Sequence, residues 1–484
     1  MLAGRATMCA MPSRLPTRDI ALLTQESTRE PLHVATLAIL DPGPSGLDHA
    51  TLVESINERI AIVPRYRQRL VSAPAGLGRP VWLDDEAFDL SYHVRRSALP
   101  GPGSMAALRD LVARLLARRL DRQRPLWEAY LVEGLADERV ALLIKSHQAL
   151  VDGTDTVDLA QVLLDETDEV REVPGDHWRP RVGPGPGQLL ARSVLDSVRH
   201  PRQATDVAVS TAWRFASALT GLPVHRRSDQ RGPLAATLSQ QRRFVTVATR
   251  LEDYRSVRKA HGGTVNDVIL ATITGGLRGW MLTRGEQIRA TTRLRAMVPM
   301  SVVDIDAEPT SLGSQVVGHQ LSLPVGETNP VVRLHQVSYA LRAHRETGRA
   351  VAANRLSALP GFAPTTFHVL GARIVQQQPL GSYHLAITNV PGPQDPLFMS
   401  GARMVETYPA LPLTEGHAVA IGVTSYDGGV YVGIVADRDA VPDVDVLGQC
   451  MVEALDELVS TSSPIPERAP RGRARPQAPG TRPP

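Results

Sequence analysis

The chain has almost no cysteine and almost no lysine. Cys9 and Cys450 are the only thiols in 484 residues. That is too few, and too far apart, for a metal cluster or a disulfide framework, and it fits a reducing compartment. Lysine is confined to Lys145 and Lys259 among 53 basic residues, an arginine bias that points to a GC-rich genome more than to a function. No apolar run approaches the roughly 20 residues of a membrane span. The stretch from Met1 to Pro16 lacks the continuous apolar core of a signal peptide, so a cytoplasmic or membrane-surface location is expected. There is no G-x-G-x-x-G, no P-loop and no zinc spacing, which leaves nucleotide-hydrolysing and metal chemistry without support. A net charge of +3 is small for this length and argues against a dedicated nucleic-acid binder.

What is present is a globular chain. Hydrophobic residues make up 43% of it, and its length allows two to three domains with a substantial core. Residues 31–41 read as a strand ended by Pro42-Gly43-Pro44. A helix from about Asp48 to Ile62 follows, with Leu52, Ile56 and Ile60 at spacing four, and Pro64 stops it. Ser104 caps a further helix with a stripe of Leu108, Leu111, Val112, Leu115 and Leu116. Arg114, Arg118, Arg119, Arg122 and Arg124 lie on or just beyond that helix; they read as a solvated basic face, with a phosphate-recruiting patch as the alternative. Composition breaks at Val173–Gly187, where prolines alternate with glycines. The expected organisation is a first domain over 12–172, a linker or crossover with amphipathic helices over 173–242, a second domain over 243–462, and a disordered basic, proline-rich tail over 463–484. In the second domain, Thr264 or Asn266 can cap a helix running to Leu282. Val419–Ser425 and Val430–Val435 flank the turn Tyr426-Asp427-Gly428-Gly429 as a hairpin.

The most informative stretch is Lys145-Ser146-His147-Gln148-Ala149-Leu150-Val151-Asp152-Gly153. A short apolar run, Val140–Ile144, precedes it and reads as a buried strand. Thr154 and Asp155 offer an N-cap for a following helix, so the motif sits on a strand–turn–helix junction. It resembles the HHAxxDG signature of the wax ester synthase/diacylglycerol acyltransferase family, within the chloramphenicol acetyltransferase-like superfamily. Pro125-Leu126-Trp127-Glu128, Asn266-Asp267 with Gly275-Gly276, and Thr388-Asn389-Val390-Pro391-Gly392-Pro393 match the same family in the same order. The resemblance implies an α/β (α+β) fold of two similar domains meeting at a tunnel, with the motif at their interface. It also implies that acyl-CoA is a substrate rather than a bound cofactor, and that diacylglycerol or a long-chain alcohol is the acceptor, with triacylglycerol or wax ester as product. A peripheral membrane or lipid-droplet surface is compatible with it, and nucleic acid is not expected.

Aligning Ala149, Asp152 and Gly153 places His147 on the first histidine of the signature and Gln148 on the second, the family's base. An amide cannot take a proton at physiological pH, and loss of general-base catalysis typically costs about 10²–10⁴-fold. Strand alternation puts His147 and Gln148 on opposite faces, which makes His147 a structural histidine unless a turn beginning there relaxes the rule. Asp152 and Gly153 read as loop-shaping residues. Asn266 and Asp267 read as a helix cap or as contacts with substrate. Two functions therefore remain open: an acyl-CoA-dependent O-acyltransferase, or a catalytically impaired relative that binds acyl-CoA, lipid or a partner acyltransferase.

Overall fold

In a computed structural model, the described residues are 13–43, 46–72, 79–150, 158–169, 176, 178–185, 187–191, 232–301, 316–344, 364–378 and 382–462. Asp152, Gly153, most of the 173–242 crossover and the 463–484 tail lie outside them. The first half runs α1 (Thr17–Gln25), β1 (His33–Asp41), α2 (His49–Arg59), β2 (Gln68–Val71), β3 (Val81–Asp84), α3 (Leu90–His93), β4 (Val94–Ala98), α4 (Met105–Leu116), β5 (Trp127–Glu133), β6 (Val140–His147) and α5 (Leu159–Leu163). The second runs β7 (Arg242–Arg250), α6 (Leu251–His261), α7 (Val265–Thr283), β8 (Leu294–Ser301), β9 (Val316–Leu323), α8 (Pro330–His344), α9 (Pro364–Gln376), β10 (Leu385–Pro391), β11 (Phe398–Met399), β12 (Ala402–Ala410), β13 (Val419–Tyr426), β14 (Gly429–Asp437) and α10 (Val444–Ser462).

Local chemistry sets many of the boundaries. Asp48 caps α2 by accepting from the Thr51 amide at 2.8 Å, and Ser104 caps α4 through the Ala107 amide at 3.2 Å. The cap of α7 is Thr264, in a reciprocal capping box with Asp267. α6 ends at Gly262, whose φ of 80° is open to glycine at little cost. In the β13–β14 hairpin, Asp427 and Gly428 take φ of 43° and 76°, the positive pair that a two-residue turn between twisted strands demands.

Two six-stranded mixed sheets carry the molecule, in the orders β11-β12-β1-β6-β5-β4 and β7-β14-β13-β10-β8-β9. The segment Phe398–Ala410, which the sequence places inside the second half, forms the edge of the first sheet. β12 pairs antiparallel with β1 from Ala35↔Ala410 to Asp41↔Arg403. Asp165 and Phe398 exchange two backbone hydrogen bonds of 2.8 Å and so fasten β11 to the end of α5. The buried Arg59–Asp165 pair, with contacts of 3.0 and 2.6 Å, ties that same point to α2.

β6 is buried along its whole length and forms the middle of the first core. β13, β14 and α7 centre the second core. Gly275 and Gly276 of α7 permit a close helix crossing: a Cβ on Gly275 would meet the Ala454 Cβ at 2.7 Å, and one on Gly276 would run into Met451 of α10. α9 lies between the halves. Its Thr365 hydroxyl is 3.3 Å from that of Thr36 on β1, its Val369 and Ala372 belong to the first core, and its His368 bonds Thr388 on β10.

Candidate active site

β6 carries the motif into the molecule and stops at His147. There His147 lies opposite His33 of β1, and its amide donates to the Leu126 carbonyl at 2.9 Å. Gln148 begins the turn, its amide donating to the Leu32 carbonyl at 3.1 Å, and Leu150 closes the turn onto the His147 carbonyl at 2.9 Å. The strand and the start of the turn expected from the sequence are therefore present. The helix after it is short, and its cap is Asp158, which accepts from the Ala160 amide at 2.7 Å; Thr154 and Asp155 lie outside the described residues.

His147 is 1% exposed. Its Nδ1 accepts the Ala149 backbone N–H at 3.0 Å, and an amide can only donate. In the neutral ring the proton is therefore on Nε2, which faces Glu26 Oε1 at 3.8 Å. Burial pushes the imidazole down to about 4; the Glu26 carboxylate opposes this, while Arg122 and Arg373 add to it. At neutral pH His147 is uncharged, with its one lone pair committed to the turn. That arrangement fits a structural histidine.

Gln148 is fully buried, and neither its Oε1 nor its Nε2 has a hydrogen-bond partner among the described residues. Leaving a buried amide unpaired costs about 1–3 kcal/mol, so the group stands ready to orient a polar partner. It carries no titratable nitrogen.

Several flanking residues went unnoticed in the sequence. Glu26, just past α1, receives the Leu32 amide at 3.3 Å and two bonds from Arg122 at 2.9 and 2.6 Å. Arg373 of α9 pairs with buried Asp19 of α1. On the strand, the Ser146 hydroxyl is 3.4 Å from that of Tyr66, which in turn accepts the Leu159 amide at 3.1 Å. Burial pushes the Asp158 carboxyl up to about 6, and the Tyr66 phenol is pushed up by burial and then by the charge of Asp158. His368 of α9 holds Thr388 at 2.6 Å through Nδ1, and burial pushes it down to about 3. Only proximity in the fold marks Glu26, Asp19, Arg373, Tyr66 and His368, whereas Ser146, Arg122 and Thr388 lie in stretches the sequence singles out.

The two motifs of the second half come together. Asn389 Nδ2 donates to Asn266 Oδ1 at 2.6 Å, locking the start of α7 to the end of β10. Asp267 accepts from the Thr264 amide and hydroxyl at 3.1 and 2.7 Å, the geometry of a helix cap.

Two mixed sheets, a strand exchanged between the halves and a histidine motif at the end of the central buried strand define an α/β acyltransferase-type fold. Comparison with known proteins narrows this. Residues 15–269 match the wax ester synthase/diacylglycerol acyltransferase catalytic domain, and residues 312–459 match the WS/DGAT C-terminal domain. The probable diacylglycerol O-acyltransferase tgs1 of Mycobacterium tuberculosis strain H37Rv is 32% identical over 465 residues, spanning 93% of this chain and 96% of that protein. The similarly named tgs3 of the same strain is 44% identical over 260 residues, which is 51% of this chain and 96% of that one. Among solved structures, the wax ester synthase/diacylglycerol acyltransferase of Marinobacter aquaeolei VT8 shares the fold at a TM-score of 0.66 and 24% identity, covering 93% of this chain and 99% of that one. The first condensation domain of the CDA synthetase shares it at 0.55 and 15% identity, covering 95% and 99%. The chain belongs to the wax ester synthase/diacylglycerol acyltransferase family and is an acyltransferase of that kind. No helix among the described residues is long and apolar enough to cross a membrane.

Proposed function

We propose that the chain is an acyl-CoA-dependent O-acyltransferase acting on diacylglycerol or a long-chain alcohol, with turnover held low because its motif carries no free base. The reaction needs the acceptor hydroxyl to attack the thioester carbonyl while its proton is removed. The single observation that carries this reading is the arrangement at the end of β6. His147 Nδ1 is filled by the Ala149 N–H and its Nε2 carries the proton, while Gln148 offers only an unpaired, buried amide. Gln148 Oε1 can accept a hydrogen bond from the acceptor hydroxyl and hold it in line, so positioning survives where proton abstraction does not. Family membership supports the substrate class, and the apolar acceptor favours work at a lipid surface.

The test is Gln148→His. With a lone pair restored at the second motif position, turnover of acyl-CoA with a diacylglycerol or fatty alcohol should rise about 10²-fold or more. His147→Ala should lower the melting temperature without selectively removing turnover. If the natural protein is active and a folded His147→Ala variant loses that activity, His147 is the base and the tautomer argument fails. If acyl-CoA binds yet neither the natural protein nor Gln148→His transfers an acyl group to any acceptor, the chain is a binding relative and not an enzyme.

A further inference from the structure

Of the five arginines on or just beyond α4, three (Arg118, Arg119 and Arg122) share one concavity. Arg95, Arg118, Arg119 and Arg122 converge with Tyr92, Tyr130 and Glu128 on one concave pocket of about 500 Å³. The floor is internally paired. Glu128 lies between Lys145 Nζ at 3.4 Å and Arg95 at 3.3 Å, and it also accepts the Tyr130 hydroxyl at 2.7 Å. Lys145 is completed by the Leu115 and Arg118 carbonyls at 2.9 and 3.0 Å. Arg122 is committed to Glu26. Asp121 turns one carboxylate oxygen to the Gln123 amide at 2.9 Å. That leaves Arg118 and Arg119, both exposed at the mouth, with no ion pair or guanidinium hydrogen bond among the described residues.

Helix-end arginines can simply complement a helix dipole. Here two guanidinium groups without partners among the described residues stand over Lys145, Arg95 and Glu128, with Asp121 as the second carboxylate of the pocket. Planar guanidinium groups offer paired donors to phosphate oxygens. Tyr92, beneath Arg124 at 4.0 Å and Arg95 at 4.7 Å, adds an aromatic wall already stacked with guanidinium planes. The pocket is also wired to the motif. Glu128 is the cross-strand partner of Lys145, two residues before His147, and Arg122 reaches His147 through the same Glu26 carboxylate.

We propose that this pocket binds a phosphate-ester group through Arg118 and Arg119, and that the phosphorylated nucleotide end of coenzyme A is its source. Naming coenzyme A rests on the acyl-CoA-dependent reading above; the pocket itself rests on its arginines.

The experiment titrates the full chain by calorimetry with coenzyme A, adenosine 3′,5′-bisphosphate, inorganic phosphate and phosphatidylcholine vesicles containing phosphatidic acid. The variants are Arg118→Ala/Arg119→Ala, and Arg255→Ala on α6 as a surface-arginine control. Folding of each is verified by thermal melting. The expected result is that the double variant binds coenzyme A and the bisphosphate about tenfold more weakly or worse, with a shallower salt dependence, while Arg255→Ala binds like the natural chain. Unchanged coenzyme A affinity in a folded double variant overturns the pocket but leaves the acyl-CoA reading standing. Vesicle binding, or phosphate binding, that depends on Arg118 and Arg119 without any coenzyme A binding keeps the phosphate site, reassigns its source, and removes the acyl-CoA reading. Binding of none of the four by the natural chain overturns both.

Discussion

Gly433→Ala is expected to strike at the joint between the two sheets. Gly433 of β14 lies directly opposite Gly422 of β13, and Pro409 of β12 nests against both. A Cβ on Gly422 would meet the proline ring at 2.9 Å, whereas one on Gly433 would run into the Pro409 carbonyl oxygen, with the carbonyl carbon at 3.0 Å. Ring atoms can give by a few tenths of an ångström. A strand carbonyl cannot, because β12 is held in register on β1 through Thr36↔Pro409 and its neighbours. The added methyl must therefore part β14 from β12, at a cost near the top of the overpacking range, about 3 kcal/mol. If each half melts as a unit, that is a fall on the order of 5–10 °C. Gly185→Ala, where a Cβ meets nothing within 4 Å, should stay within about 0.5 kcal/mol. Differential scanning fluorimetry reads both. A second background, Pro409→Gly, separates ring from carbonyl: it should relieve Gly422→Ala and leave Gly433→Ala as damaging as before. A Gly433→Ala melting temperature within about 1 °C of the natural protein, or rescue of Gly433→Ala by Pro409→Gly, would refute this account of the joint.

Acid should weaken the fold through its buried histidines. His147 and His368 are pushed down to about 4 and about 3 from 6.5, so the unfolded chain takes up protons first. Stability is full above pH 6.5 and is lost as pH falls toward 4, by about 2 kcal/mol per histidine between pH 6.5 and 5. A urea midpoint that does not fall over that window would contradict it. Asp158 has the opposite sign. Its carboxyl is pushed up to about 6 from 3.8, so its contribution is most favourable below pH 3.8 and is lost as pH rises through 6. Asp158→Asn keeps an acceptor for the Ala160 amide and should stabilise the chain at pH 7.5 by about 1–3 kcal/mol, the gain vanishing near pH 4. A variant less stable than the natural chain at pH 7.5 would show that the carboxylate has a partner it needs.

The elements legible in the sequence are those whose cause is local. Strand β1, the helix start near Asp48, the cap at Ser104, the β13–β14 hairpin and the buried strand that ends at His147 all follow from local patterns. Of the two caps open for α7, Thr264 prevails because its hydroxyl reaches Asp267. The pairing of β12 with β1 is invisible in the same way that it is decisive, since no periodicity in Ala402–Ala410 names a partner so far back in the chain. The same holds for α9 and its place between the halves. At the site, alternation along β6 cannot order His147 against Gln148, because the strand stops at His147 and Gln148 begins the turn. It gives no access to Glu26, Arg122 or Arg373, which tertiary packing alone brings to the imidazole. Gln148 could be read as lacking a base; that its amide would be fully enclosed and unpaired could not.

The exchanged strand also dictates an order of events in the making of the protein. β1 emerges from the ribosome early and finds β6 about a hundred residues later, but its other edge stays bare until Ala410 has been synthesised. Throughout that interval the nascent first half presents a row of unpaired backbone groups beside an apolar face, the combination that invites strand addition by other chains. A gene cut in the crossover should therefore yield an N-terminal fragment that aggregates when expressed alone and becomes soluble when the C-terminal fragment is supplied beside it. The two halves are coupled by their assembly as much as by their final contacts.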